Sequence, residues 1–337
     1  MKSSKRKILI IGYPGQDGRL LWDMLDQRGC AILALGRKTV HANFRQPLPE
    51  RVPVRSFRSI DQWMDTFRPD EVYYLAAYHS SSEADLDRSI RTSINASFDV
   101  HVRGIVNVLE SVARRSLRTR VFYASSSMIF DGQAGGSATE LDPLKPQGIY
   151  GITKAAGTLI CRQYRETKGV YCSVGILYNH ESILRPKDFI SQKIIRTALE
   201  VSRDTEKKLV LGDLSARVDW GYAPDYVDAF TRILHLDAPD DFIISTGEAH
   251  SVQEFVSLVF DRLGLDWKRH VVEDPRVLGR RPRMRIGDPA KLMRMTDWRP
   301  SLSFRAMVYK LIEDTIQFLN LEPGPGKTSG KQGKRSG

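Results

Sequence analysis

Cysteine is scarce in this chain: Cys30, Cys161 and Cys172 are the only three in 337 residues. They are odd in number and lack metal-ligand spacing. This excludes a disulfide framework and predicts buried thiols in a reducing, cytoplasmic setting with no metal site. Long apolar runs are missing too, and none approaches the length of a membrane span. The basic opening Met1–Lys7 leads into an apolar stretch too short for a signal peptide. No internal repeat is visible.

Acid is in deficit, with 40 Asp and Glu against 51 Lys and Arg and a net charge of +11. Four of the cations, Lys327, Lys331, Lys334 and Arg335, stand in a Gly-, Ser-, Pro- and Lys-rich tail, predicted to be disordered over 321–337. No aromatic residue interleaves with them as a single-strand binder requires, so no nucleic-acid partner is expected. The remaining positive balance suits a substrate that carries phosphates.

What the chain does have opens with glycine. Gly12, Gly15 and Gly18 lie in Gly12-Tyr13-Pro14-Gly15-Gln16-Asp17-Gly18, between the strand-like Ile8–Ile11 and an amphipathic stretch from Leu20 to Gln27. A dinucleotide pyrophosphate needs such a turn, where the backbone bends tightly, N–H groups approach phosphate and helix packs on strand. The second strand, Ala31–Leu35, ends in Gly36-Arg37-Lys38. A ribose 2′-hydroxyl calls for an acid at that place, whereas Arg37 and Lys38 suit a 2′-phosphate, so the predicted cofactor is NADP rather than NAD.

Strand-like runs at Glu71–Ala77, Arg120–Ala124 and Tyr171–Leu177 alternate with helix-like Phe98–Arg115 and Tyr150–Lys168. The pattern predicts an α/β fold: a Rossmann-type, doubly wound parallel sheet with a smaller, interleaved C-terminal substrate-binding lobe. The expected division is a cofactor domain over 1–180, with returning segments about 218–260, and a lobe mainly over 181–320. Asp225–Leu236 and Val252–Gly264 read as further helices.

Tyr150 and Lys154 fall four residues apart on one helix face. A phenol is a poor base at neutral pH, and a neighbouring cation favours its phenolate. The serines of Tyr123-Ala124-Ser125-Ser126-Ser127, at a strand end, can offer a hydroxyl to the same reacting oxygen. Two diphosphates need cations, which Lys193, Arg217 and the cluster Arg280, Arg281, Arg283 and Arg285 supply.

From about Lys7 to Leu319 the chain resembles the extended short-chain dehydrogenases that modify nucleotide sugars, and among them the GDP-mannose 4,6-dehydratases. The resemblance is carried by the glycine turn, Leu75-Ala76-Ala77, Tyr150 and Lys154, Tyr178-Asn179-His180-Glu181-Ser182, Arg217-Val218-Asp219-Trp220-Gly221 and Ser245-Thr246-Gly247-Glu248. It implies cofactor contacts at Gly12, Gly15, Gln16, Asp17, Gly18, Leu75, Ala76, Ala77, Tyr150 and Lys154. It implies catalysis by Ser126, Tyr150 and Lys154, and sugar-nucleotide contacts at Met128, Asn179, Glu181, Lys193, Arg217 and Arg281. A homodimer or homotetramer is expected.

One position departs from the family. The dehydratases carry Ser/Thr-x-Glu after the fourth strand, and that Glu removes the C5 proton; here the stretch is Ser126-Ser127-Met128. A thioether takes no proton. The expectation is therefore NADP(H)-dependent redox at C4 of a GDP-hexose, by a 4-epimerase, 4-keto reductase or 4-dehydrogenase. Two alternatives stand beside it: a 4,6-dehydratase with a relocated base, for which Asp131, Glu140 and Glu181 are candidates, and a nucleotide-sugar-binding homologue without turnover.

Overall fold

The computed structural model describes residues 5–44, 52–78, 90–115, 117–130, 136–277 and 286–320. Asp131, the arginines at 280, 281, 283 and 285, and the tail 321–337 lie outside them.

Alternate residues of a strand face opposite sides of a sheet. In β1 (Lys7–Ile11), Leu9 and Ile11 join one core while Ile8 and Ile10 join another. Burial on both sides is why these strands read as continuous apolar runs. With β2 (Ala31–Leu35), β3 (Val40–Ala42), β4 (Glu71–Tyr74) and β5 (Arg120–Ala124), β1 builds a seven-stranded sheet. Its order is Asp241–Ile244, Cys172–Leu177, β5, β4, β1, β2, β3. Every pairing is parallel except β2 with β3. The winding reverses between β1 and β4, which opens a crevice at their carboxyl ends.

The helices α1 (Gln16–Gln27), α2 (Phe57–Phe67), α3 (Ile90–Phe98), α4 (Gly104–Arg114) and α5 (Gly148–Lys168) precede α6 (Ile190–Val201), α7 (Ala223–Leu234) and α8 (Val252–Arg262). Apolar residues of α2, α4 and α5 cover one face of the sheet, and those of α1 and α7 cover the other. A third core joins α6 and α8 to Trp220 and to the helix Phe304–Phe318. The α/β, doubly wound reading of the sequence therefore holds.

Two local expectations need correction, and one strand went unread. The strand expected over Glu71–Ala77 ends at Tyr74, and Leu75–Ala77 leave the sheet as a loop at the crevice. The helix expected over Phe98–Arg115 is broken by a π-helical turn, Asp99–Arg103. The three-residue antiparallel edge strand β3 is too short to signal itself by alternation. Among the described residues, no helix is long and apolar enough to cross a membrane.

Candidate active site

The crevice is a cleft of about 470 Å³. In the turn between β1 and α1, Gly12 takes φ +107°, and a Cβ there would stand 2.5 Å from the Ala76 nitrogen. A Cβ at Gly18 would lie 2.6 Å from Tyr13 Cα, so strand and helix could not close up. Gly15 caps α1 without any side-chain hydrogen bond and lines the cleft. The first-turn N–H groups of α1 are thus left for an anion, and the turn fits a dinucleotide pyrophosphate.

Gln16 and Asp17 tie this turn to the segment after Cys172–Leu177. Gln16 Nε2 donates to the His180 carbonyl (3.1 Å), and Ser182 Oγ donates to Gln16 Oε1 (2.8 Å). His180 Nδ1 donates to the Tyr178 carbonyl (2.7 Å), while Nε2 lies 3.0 Å from Asp17 Oδ1. Burial alone would raise the Asp17 carboxyl, but the His180 ring and the hydrogen bonds from His180 and Gln16 hold it below its ordinary value. Arg37 and Lys38 are exposed in the turn between β2 and β3, closed by Gly36 N to Thr39 O (2.7 Å), and do not form part of the cleft wall.

On the opposite wall, α5 brings Tyr150 and Lys154 to the cleft beside Ser126 and Met128. Gly151 lets the helix begin against the chain there, because a Cβ would sit 2.6 Å from the Met128 carbonyl. The Met128 N–H donates to Ser126 Oγ (3.3 Å). Lys154 is buried, its Nζ donates to the Ala124 carbonyl (2.6 Å), and it lies 5.8 Å from the Tyr150 ring centre. Burial pulls its ammonium down to about 7, against the opposing charge of Asp17.

The residues expected at the sugar nucleotide are dispersed. Asn179 lines the cleft, and Arg217 stands on its rim, where NH2 donates to the Ala249 carbonyl (2.5 Å) and NH1 lies 3.9 Å from Glu254. Lys193 is half-buried in the first turn of α6 and does not line the cleft. Glu181 does not line the cleft: it is buried, accepts from the Ser191 hydroxyl and lies 3.6 Å from Arg185. Glu140 is also spoken for, accepting from the Ile243 N–H (2.8 Å).

Four carboxylates do line the cleft: Asp17, Asp188, Asp213 and Asp219. Asp213 accepts from Ser215 and Ala216. Asp219 accepts from the Thr246 N–H and hydroxyl and from the Gly247 N–H, yet burial pushes its carboxyl up to about 6. Asp188 is exposed and without a hydrogen-bond or ion-pair partner among the described residues. Sequence reasoning passed over His180 and Arg185 as cleft residues. Arg185 gives no local signal, since it reaches the cleft only because the loop after Ser182 turns back, with its guanidinium 4.2 Å from the Phe189 ring centre.

Residues 9–311 match the family model described as GDP-mannose 4,6 dehydratase. The chain belongs to the GDP-mannose 4,6-dehydratase family. It is 30% identical over 338 residues to GDP-mannose 4,6 dehydratase 1 of Arabidopsis thaliana, covering 94% of this chain and 92% of that protein. It is 28% identical to a GDP-mannose 4,6-dehydratase of Vibrio cholerae, over 93% and 94% of the two chains. Among solved structures it resembles dTDP-glucose 4,6-dehydratase from Bacillus anthracis in complex with NAD (TM-score 0.77, 20% identity, covering 93% and 97%). It also resembles RMD from Pseudomonas aeruginosa complexed with NADPH (TM-score 0.76, 20% identity, covering 93% and 100%). These two likenesses are of fold. In this member of the GDP-mannose 4,6-dehydratase family, a methionine occupies the cleft where the sequence resemblance calls for a glutamate.

Proposed function

We propose that the protein catalyses NADP(H)-dependent redox chemistry at C4 of a GDP-hexose, as a 4-epimerase, 4-keto reductase or 4-dehydrogenase. The observation that carries this reading is Met128 in the cleft together with Ser126, Tyr150 and Lys154. Groups suited to hydride transfer share the cleft, while a thioether stands in place of a proton-abstracting carboxylate. The nicotinamide, when bound, would accept or return a hydride at C4. Tyr150 moves the proton at O4, the Lys154 ammonium favours its phenolate, and the Ser126 hydroxyl holds O4. Asn179, Lys193, Arg217 and Arg281 hold the sugar nucleotide, and Arg37 and Lys38 hold the 2′-phosphate.

In this proposal the cofactor lies on the domain of 1–180 with its returning segments about 218–260, and the sugar nucleotide lies under the lobe of 181–320. The protein acts in the cytoplasm, a placement supported by three buried, unbridged thiols. It assembles as a homodimer or homotetramer. Ile152 and Leu159, two helical turns apart on α5, and Ile90 and Phe98 on α3 offer exposed apolar surface for that contact.

A 4,6-dehydratase is the second reading, favoured by the names of the relatives and by the unpartnered Asp188 carboxylate at the cleft. Incubation with GDP-mannose in deuterated water separates the two. The C4-redox reading expects an oxidised or epimerised sugar, or reduction of a supplied 4-keto sugar, without loss of water. Rapid formation of the 4-keto-6-deoxy sugar with deuterium at C5 would overturn it, and Asp188→Asn would then test the relocated base.

A further inference from the structure

The π-helical turn between α3 and α4 is braced from the sheet. It diverts the Gly104 N–H to the Asp99 carbonyl, five residues back. An α-helix would give that N–H to Val100. The Val100 carbonyl instead accepts from the Tyr74 hydroxyl (2.6 Å), and the His101 carbonyl accepts from the Tyr123 hydroxyl (2.9 Å). Both tyrosines are fully buried, in β4 and β5. Each hydroxyl occupies the space of a missing Cβ, that of Gly104 for Tyr74 and that of Gly157 for Tyr123.

The braced turn sets the His101 side chain, itself fully buried, between two walls of the cleft. On one side its Nε2 accepts the Tyr78 backbone N–H (2.9 Å). A backbone N–H can only donate, so Nε2 carries the lone pair and the ring proton sits on Nδ1. On the other side Nδ1 therefore donates to Thr153 Oγ1 (2.8 Å). The Thr153 hydroxyl donates in turn to the Ile149 carbonyl (2.9 Å) or to the Tyr150 carbonyl (3.1 Å). The imidazole also meets the Tyr150 ring edge-on, with centres 5.1 Å apart at 85°. Tyr78 stands three residues after Leu75 in the segment that follows β4, and Thr153 lies between Tyr150 and Lys154.

We propose that His101 is a positioning residue for hydride transfer, a neutral bridge that fixes the distance between the loop after β4 and the turn of α5 carrying Tyr150 and Lys154. This rests on the reading of Tyr150 as the group that handles the O4 proton. The bridge acts on the separation of cofactor wall and phenol, where a displacement of about 1 Å can cost on the order of 100-fold in rate.

Three variants divide the bridge. His101→Asn keeps a donor near Nδ1 but does not reach Tyr78, and His101→Gln reaches Tyr78 but cannot also donate to Thr153. Thr153→Val removes the acceptor on α5 and leaves the histidine. Each is assayed with GDP-mannose plus NADP and with GDP-4-keto-6-deoxymannose plus NADPH, alongside Tyr150→Phe. In the three bridge variants we expect kcat to fall about 10- to 100-fold with KM for the sugar nucleotide nearly unchanged, and the primary deuterium isotope effect at C4 to rise. Combining His101→Gln with Thr153→Val adds little to the worse single change, because both cut one connection. NADPH fluorescence titration gives a readout without turnover, and His101→Asn, which frees the Tyr78 N–H, is expected to weaken binding several-fold.

Folded His101 variants with native kcat, isotope effect and NADPH affinity would overturn the bridge. So would a fall in kcat that tracks a fall in Tm with the isotope effect and NADPH affinity unmoved, since that marks packing alone. Tyr150→Phe that keeps its turnover overturns the assignment of Tyr150 itself. Full turnover in the His101 variants beside an inactive Tyr150→Phe overturns only the bridge.

Discussion

Lys154 shows how much one buried charge can carry. Its ammonium titrates at about 7 in the folded protein against an ordinary 10.5, chiefly because burial penalises the charged form. Between those values the unfolded chain holds a proton that the folded chain has released, so stability rises with pH there and is lost as pH falls through 7. In the ligand-free protein this group alone is expected to contribute a slope of about 1.4 kcal/mol per pH unit above neutrality. Denaturant titrations at stepped pH check it, and Lys154→Met should flatten the slope. At the other end of the cofactor turn, Arg37 and Lys38 are proposed to discriminate between the two nicotinamide dinucleotides. NADPH is expected to bind more tightly than NADH, with about 1.5–3 kcal/mol for each charge-assisted phosphate contact. Fluorescence titration of Arg37→Asp should show most of that preference gone, and equal affinities in the unmodified protein would sink the idea. Tyr150→Phe should abolish hydride transfer while leaving NADPH binding nearly intact, as single-turnover and titration measurements would show.

Among the described elements, the break between α3 and α4 departs from α-helical geometry and is held from the sheet. Its carbonyls are satisfied by tyrosine hydroxyls from β4 and β5, and Gly104 leaves room for one of them. Gly104→Ala would place a methyl group on the Tyr74 hydroxyl, and overpacking of this kind typically costs about 1–3 kcal/mol. A lower Tm is the expected outcome. Adding Tyr74→Phe should recover part of it by removing the clashing oxygen, although the Val100 carbonyl then loses its donor. The start of α8 is specified locally instead. Ser251 and Glu254 form a capping box, and Ser251→Ala should cost about 0.5–2 kcal/mol by thermal denaturation.

For the molecule as a whole, the proposed assembly turns on α3 and α5. Ile90, Phe98, Ile152 and Leu159 expose apolar surface that water disfavours and that a second copy would cover. Leu159→Glu is expected to shift the protein to monomers in sedimentation velocity without loss of secondary structure by circular dichroism. A monomeric unmodified protein would refute the proposal.

The sequence alone determined the alternation of strands and helices, the sharp turn after β1 and the pairing of a phenol with an amine four residues on. Each depends on short-range pattern: side-chain periodicity, glycine spacing and helix geometry act over a few residues. The exchange at Met128 was equally visible in the sequence, because it needs only the identity of one residue. Tertiary structure decided the rest. Glu181 shares a motif with Asn179, yet it is buried beside Ser191 and Arg185 and does not line the cleft. Lys154 owes its low pKa to burial under β5, and no neighbour in sequence reports that. His101 looked like one more helical residue; the available hint was a histidine in the otherwise apolar stripe of Phe98–Arg115. Its role depends on Tyr78 and Thr153, 23 and 52 residues away, and on two tyrosines reaching out of the sheet. Burial and hydrogen bonding sum over elements that only the folded chain brings together, which is why the kinds of residue in the cleft were legible and their duties were not.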